Sequence, residues 1–151
     1  MTIKDILKTD NLTIEKETIL NIMYTQNVLN DRFSEILKTY DLSSEQFNVL
    51  RILRGQKGNP ANMCVIQERM IAKTSNTTRL VDKLLIKGLV TREVCPQNRR
   101  KMEVMITGKG LNLLSDLDPL ITAHEKQHAA QLSLGELETL NLLLDRFRTI
   151  T

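Results

Sequence analysis

The chain has 151 residues, a formal net charge of +3, 41% hydrophobic residues and 26% charged ones. That balance excludes a disordered chain and suits one domain of ordinary size, and no run approaches the ~18 apolar residues of a membrane span. Aromatic residues make up only 3% and Trp is absent, so the apolar mass is Leu, Ile, Val and Met, which suits helix packing better than a β-sandwich.

The opening residues, from Met1, have no apolar stretch of the signal-peptide kind, which leads us to expect a cytoplasmic protein. The first ten or so carry few structural signals. From Ile19 the apolar side chains fall at Ile22, Met23, Leu29, Phe33, Ile36, Leu37 and Tyr40, the 3-and-4 spacing of a long amphipathic helix ending near Asp41. Ser43 then offers an N-cap, with Gln46 three residues on as its capping-box partner, and Phe47, Leu50 and Leu53 form a short second helix. Gly55, Gly58 and Pro60 stop it in a loop. A third helix is expected over Cys64 to Ile71, with Ile66 and Met70 inward. Thr74 or Ser75 can cap a fourth, whose apolar face is Leu80, Val81, Leu84 and Leu85 and whose C-terminal glycine is Gly88.

Leu89 to Val94 partly alternates, and Met102 to Ile106 reads as the returning strand. The connection from Cys95 to Lys101 is longer than a tight turn, so the hairpin is expected to project. Thr107 can cap a fifth helix carrying Leu111, Leu114, Leu117, Leu120 and Ile121, with Pro119 expected to kink it. Ser133 and Glu136 form another capping box, opening a last helix with Leu137, Leu140, Leu144 and Phe147. The predicted order is four helices, a hairpin and two helices, mainly α with a small β-hairpin wing.

The fourth helix has an unusual start: Thr74-Ser75-Asn76-Thr77-Thr78-Arg79, with no large apolar side chain before Leu80. Short amide and hydroxyl groups with a guanidinium suit the DNA major groove, where Asn pairs with adenine, Arg with guanine and Thr methyls with thymine. Lys83 falls four residues after Arg79, on the same face. The hairpin tip, Asn98-Arg99-Arg100-Lys101, places three consecutive cations at the end of a β-ribbon, where Arg is drawn to a narrow minor groove. A capped surface helix or a solvated charged turn would explain either segment alone. Their closeness in sequence favours DNA.

These segments resemble the MarR family of winged helix-turn-helix transcription regulators. The resemblance is carried by Leu42-Ser43-Ser44-Glu45-Gln46-Phe47-Asn48-Val49-Leu50, by Thr78-Arg79-Leu80-Val81-Asp82-Lys83-Leu84 and Lys87-Gly88-Leu89-Val90, and by Asn98-Arg99-Arg100-Lys101 through Ile106-Thr107-Gly108-Lys109-Gly110. It implies a single domain over 1–151, with a winged helix-turn-helix lobe at 42–110 and dimerisation helices at 1–41 and 111–151. It also implies a homodimer that binds double-stranded DNA at an inverted repeat and acts as a ligand-responsive repressor. The DNA-binding residues would be Ser75, Asn76, Thr77, Thr78, Arg79, Lys83, Arg99, Arg100 and Lys101. Among them, Ser75, Asn76, Thr78 and Arg79 would meet base edges, Lys83 and Arg99 phosphates, and Arg100 would be the wing arginine. Asn98 departs from the family pattern, which commonly has Asp there. A cleft between dimerisation helices and winged lobe would take a small aromatic or phenolic effector, with Tyr40 as a hydrogen-bond donor.

Other motifs carry less. His124-Glu125-Lys126-Gln127-His128 matches HExxH formally, which makes a zinc-dependent hydrolase the alternative reading. No third ligand is evident. Zinc-responsive relatives draw partner ligands from helices where this chain has Phe47 and Asn48. Cys64 and Cys95 form no CxxC pair, so neither a structural zinc site nor a redox role is assigned. Gly108 and Gly110 are not a phosphate loop and are expected to loosen the entry to the fifth helix. We expect no enzyme activity, cofactor, resident metal or membrane association.

Overall fold

Side-chain caps set most of the helix starts. The computed structural model describes residues 1–73 and 76–150, in the order α1 (Ile3–Leu7), α2 (Ile14–Lys38), α3 (Ser44–Gly55), β1 (Ala61–Asn62), α4 (Met63–Arg69), α5 (Thr77–Ile86), β2 (Val90–Cys95), β3 (Asn98–Ile106), α6 (Gly108–Ala129) and α7 (Leu134–Arg148). At α3, Ser43 Oγ accepts from the Gln46 N–H at 3.1 Å while Gln46 Oε1 accepts from the Ser43 N–H at 3.2 Å, the box expected from sequence. Ser133 with Glu136 does the same for α7, and Thr107 caps α6. The fourth expected helix is α5, and its cap is Asn76, not Thr74 or Ser75, which lie outside the described residues. Two elements lie outside the predicted order. Thr2 and Asp5 close a capping box on α1, which buries Ile3, and β1 adds a third strand to the hairpin.

The core gathers one or two side chains from each neighbouring element. Leu37 of α2, Leu50 and Leu53 of α3, Ile66 of α4, Val81 and Leu84 of α5, Val104 of β3 and Leu114 and Leu117 of α6 are all buried. Truncating such a leucine to alanine typically costs ~2–5 kcal/mol, so this cluster is what fixes α5 against α3 and the sheet. Gly88, at φ 71°, takes the left-handed step that turns the chain from α5 into β2.

The sheet order is β1-β3-β2, all antiparallel. The long connection expected between the strands is instead a tight turn followed by a bulge. Cys95 pairs with Asn98, but its neighbour Val94 pairs with Met102. While β2 advances one residue, β3 advances four, so Arg99, Arg100 and Lys101 are accommodated as a bulge within the strand itself.

The outer helices are incompletely covered. No residue of α7 is buried, and Leu142, Leu143 and Phe147 are more than half exposed. On α2, Ile14, Ile19, Met23 and Leu29 are exposed, as are Leu111 and Leu120 of α6. α6 runs continuously through Pro119.

Candidate nucleic-acid interface

The start of α5 is built from its cap outward. Asn76 Oδ1 accepts from the Arg79 N–H at 3.2 Å, which satisfies one of the free amides of the first turn, and Asn76 itself is exposed. Val81 and Leu84 point into the core, so helical periodicity sends Arg79 and Lys83 to the opposite, exposed face, and Thr78 is exposed at its flank. Thr77 departs from expectation. It is only 6% exposed, on the inward face with Val81, and its Oγ1 has no partner among the described residues. A buried hydroxyl at that position serves packing, so the outward set from this helix is Asn76, Thr78, Arg79 and Lys83. Ser75 lies outside the described residues.

Sequence reasoning missed Asn48. This buried residue of α3 accepts from the Ile71 N–H at 2.9 Å, pinning the segment that leads from α4 towards α5. The available signal was a lone amide inside the apolar run Phe47-Asn48-Val49-Leu50.

The wing is ordered by Asn98. Its Oδ1 accepts from the Arg100 N–H at 3.1 Å, an Asx-type turn that shapes the bulge with a hydrogen bond where an aspartate would add charge. Arg99, Arg100 and Lys101 are exposed and enter no ion pair among the described residues. The base of the wing is tied to α5 by Arg92 and Asp82, at 2.6 Å. Arg79 and Lys83 are also outside any described ion pair, whereas Lys87 is occupied: it bonds the Asp41 carbonyl and Gln46 Oε1, and its ammonium lies 3.5 Å from the Asp41 carboxylate. Five exposed cations are therefore outside every described ion pair, Arg79 and Lys83 on the helix and Arg99, Arg100 and Lys101 on the ribbon. A helix flanked by a basic β-ribbon can enter a major groove while the ribbon follows the neighbouring backbone or minor groove.

Behind this face, Arg54 of α3 makes a two-pronged contact with Asp118 of α6, at 2.8 and 3.0 Å, joining the lobe to the long helix. A groove of about 930 Å³ opens between α2, α6 and α7, and Ile71 borders it. His124 and His128 line it together with Glu125, and no third His, Cys, Asp or Glu joins them in a metal-holding group among the described residues. The zinc-hydrolase alternative therefore gains no support. Burial, with the nearby positive charge of His128 and Arg32, holds His124 below the usual histidine range, and Glu125 opposes this only weakly. Tyr40 packs against the lobe core and does not line the groove. Gly110 is not a loosening element but a close contact, buried in the first turn of α6 against Leu89 and Ile106. Cys64 is exposed and Cys95 half-buried, both as free thiols. No described helix is long and apolar enough to cross a membrane.

Comparison with known proteins gives a consistent result. Residues 42–102 match the family model described as the MarR family. The chain is 30% identical over 118 residues to the HTH-type transcriptional regulator MhqR of Bacillus subtilis, covering 78% of this chain and 80% of that one. In fold it is similar to a MarR family transcriptional regulator of Streptomyces coelicolor solved in complex with DNA, with a TM-score of 0.80, 18% identity and 91% of each chain covered. It is also similar to the organohalide-sensing regulator RdhR solved in its 2,4-dichlorophenol-bound form, with a TM-score of 0.82 and 18% identity, over 91% of this chain and 81% of that one.

Proposed function

The chain belongs to the MarR family of DNA-binding winged-helix transcription regulators, and from that premise we propose that it is a homodimeric, ligand-responsive repressor that reads an inverted repeat through α5 and the wing. The observation that carries this reading is the exposed face of Asn76, Thr78, Arg79, Lys83, Arg99, Arg100 and Lys101, whose cations have no internal partners among the described residues. Phosphate contacts from such a face supply affinity, and the few groups that reach base edges supply sequence preference.

Dimerisation is supported by the outer helices. Leaving the apolar side chains of α7 and the outer face of α2 in water is unfavourable, and pairing these helices with a second copy would cover them. Two-fold symmetry would then set two copies of α5 about one helical turn of DNA apart. Ligand response is supported by the groove that meets both the outer helices and Ile71. A compound that binds better to a dimer with mis-spaced α5 helices releases DNA, and each tenfold loss of DNA affinity requires about 1.4 kcal/mol of differential binding.

Arginine substitutions test the assigned face. Arg79→Ala should cost about 1–3 kcal/mol and relax preference at particular base pairs. Arg100→Ala should weaken binding most where the minor groove is narrow. Competition assays on duplexes with substituted half-sites and flanks separate the two effects. Wild-type affinity and preference in both variants would remove α5 and the wing from the interface.

A further inference from the structure

A hollow of about 460 Å³ lies across α5 from the wing, where the end of α2 turns into α3. Asp82 of α5 turns to the wing side, where it holds Arg92. Lys83 and Lys87 turn the other way and line the hollow with Lys38, Asp41, Ser43 and Gln46. The lining thus carries three lysines and one carboxylate. The Lys87 ammonium bonds the Asp41 carbonyl and lies 3.5 Å from the Asp41 carboxylate, so those two charges offset each other. Lys38 and Lys83 are exposed and outside every described ion pair. Glu45, in the first turn of α3, is not part of the lining.

Gln46 is a feature that a solvated lysine patch would not need. It is only 6% exposed, and it receives both of its hydrogen bonds on Oε1, from the Ser43 N–H and from Lys87 Nζ, each at 3.2 Å. Its amide nitrogen donates to no described residue. Polar groups on buried side chains are almost always paired in folded proteins, so this donor calls for an acceptor from the hollow. The helix α3 begins at the same rim, at Ser43, and a helix start favours an anion. Two free ammonium groups, an amide donor and a helix start are a donor set for an oxyanion. A cation would find only the Asp41 carboxylate, which Lys87 already offsets.

A helix seated in a major groove about 12 Å wide has a sugar-phosphate strand on each side of it. The wing lies on one side of α5 and the hollow on the other. We propose that the hollow seats a backbone phosphate of the second strand, held by Lys38 and the Gln46 amide at the start of α3, with Lys83 at the rim on the neighbouring phosphate; this rests on the reading of α5 as the helix that enters DNA. α5 is then held from both flanks. Lys38 extends the DNA interface onto α2, so a shift of that outer helix changes a DNA contact directly.

Methylphosphonate scanning of a selected duplex tests this one phosphate at a time. Each substitution removes one backbone charge, and affinity is measured for wild type, Lys38→Gln, Lys83→Ala and Arg99→Ala. One phosphate in each half-site should couple to Lys38: neutralising it should weaken wild-type binding by about tenfold and Lys38→Gln binding by about twofold or less. It should adjoin the phosphate coupled to Lys83 and lie across the groove from those coupled to Arg99. Lys38→Gln should also lower the salt slope of the dimer by about 1.8. Gln46→Glu keeps an acceptor for Ser43 and Lys87 but puts a carboxylate oxygen where the free donor was. It should weaken DNA binding by about tenfold or more, with the urea midpoint near that of wild type. Equal losses in wild type and Lys38→Gln at every position would overturn the hollow as a DNA contact, and couplings to Lys83 and Arg99 would still uphold α5 and the wing. Absence of those couplings as well would overturn the reading of α5 itself. Wild-type affinity in Gln46→Glu would overturn the role of the amide. Saturable, Lys38-dependent binding of inorganic phosphate, unchanged in the DNA complex, would make this a free-anion site and overturn the DNA assignment.

Discussion

Replacing Lys83 by alanine removes one cation from the outer face of α5 in each protomer. Lys83 is exposed and outside every described ion pair, whereas Lys87, one turn further on, is held by Asp41 and Gln46. Only the first is therefore available to a phosphate. A dimer loses two phosphate contacts, so at about 0.9 per contact the slope of log affinity against log salt should shrink by about 1.8. Between about 50 and 200 mM salt, the deficit of the variant relative to wild type should narrow by about twelvefold. Fluorescence anisotropy of a labelled duplex over a potassium chloride series measures this, and competition by substituted half-sites should show unchanged base preference. Lys87→Met is the control and should keep the wild-type slope. A Lys83→Ala protein with the wild-type slope, or equal slope changes in the two variants, would refute the assignment of free and occupied lysines.

Two further perturbations probe the scaffold behind this face. A Cβ at Gly110 would stand 2.5 Å from the Leu89 carbonyl oxygen and 2.7 Å from Ile106 Cγ1, so Gly110→Ala should lower stability by about 1–3 kcal/mol or more in urea titrations, whereas Gly108→Ala, with open space around it, should not. The second is acid sensitivity. Because the folded protein holds His124 below its ordinary value of 6.5, the unfolded chain binds the proton first, and stability should fall as pH drops below 6.5 towards the folded value. His124→Phe should flatten that part of the pH–stability curve, and an unchanged curve would mean the imidazole is not desolvated as described.

Much of this architecture is legible in the sequence where a local chemical signal is strong. Ser43 with Gln46, Thr107, and Ser133 with Glu136 each announce a helix start, because a side-chain oxygen three residues before a free amide is a short-range event. Elements defined by distant partners are not legible in the same way. β1 is two residues long and exists because Ala61 and Asn62 pair with Val104 and Glu103, some forty residues away. The bulge at Arg99–Lys101 depends on which residues of two strands meet, and composition alone suggests only a long polar connection. At the site, the outward residues of α5 follow from the periodicity of Val81 and Leu84, but Thr77 was misplaced. Its hydroxyl resembles that of Thr78 in every respect except the side of the helix it occupies. The groove histidines were visible as HEKQH, yet their meaning depends on Phe33, Arg32 and Ile71, which come from other elements.

The central claim is that a dimer reads DNA through α5 and the wing, and selection of bound sequences from a random duplex pool tests it most directly. Sedimentation of the protein on the selected duplex then gives the stoichiometry. The expected result is an inverted repeat with half-site centres about one helical turn apart, bound by two protomers, with enrichment lost in a protein carrying Arg79→Ala and Arg100→Ala together. Recovery of no enriched sequence, of direct repeats only, or of the same repeat by the doubly substituted protein would contradict it.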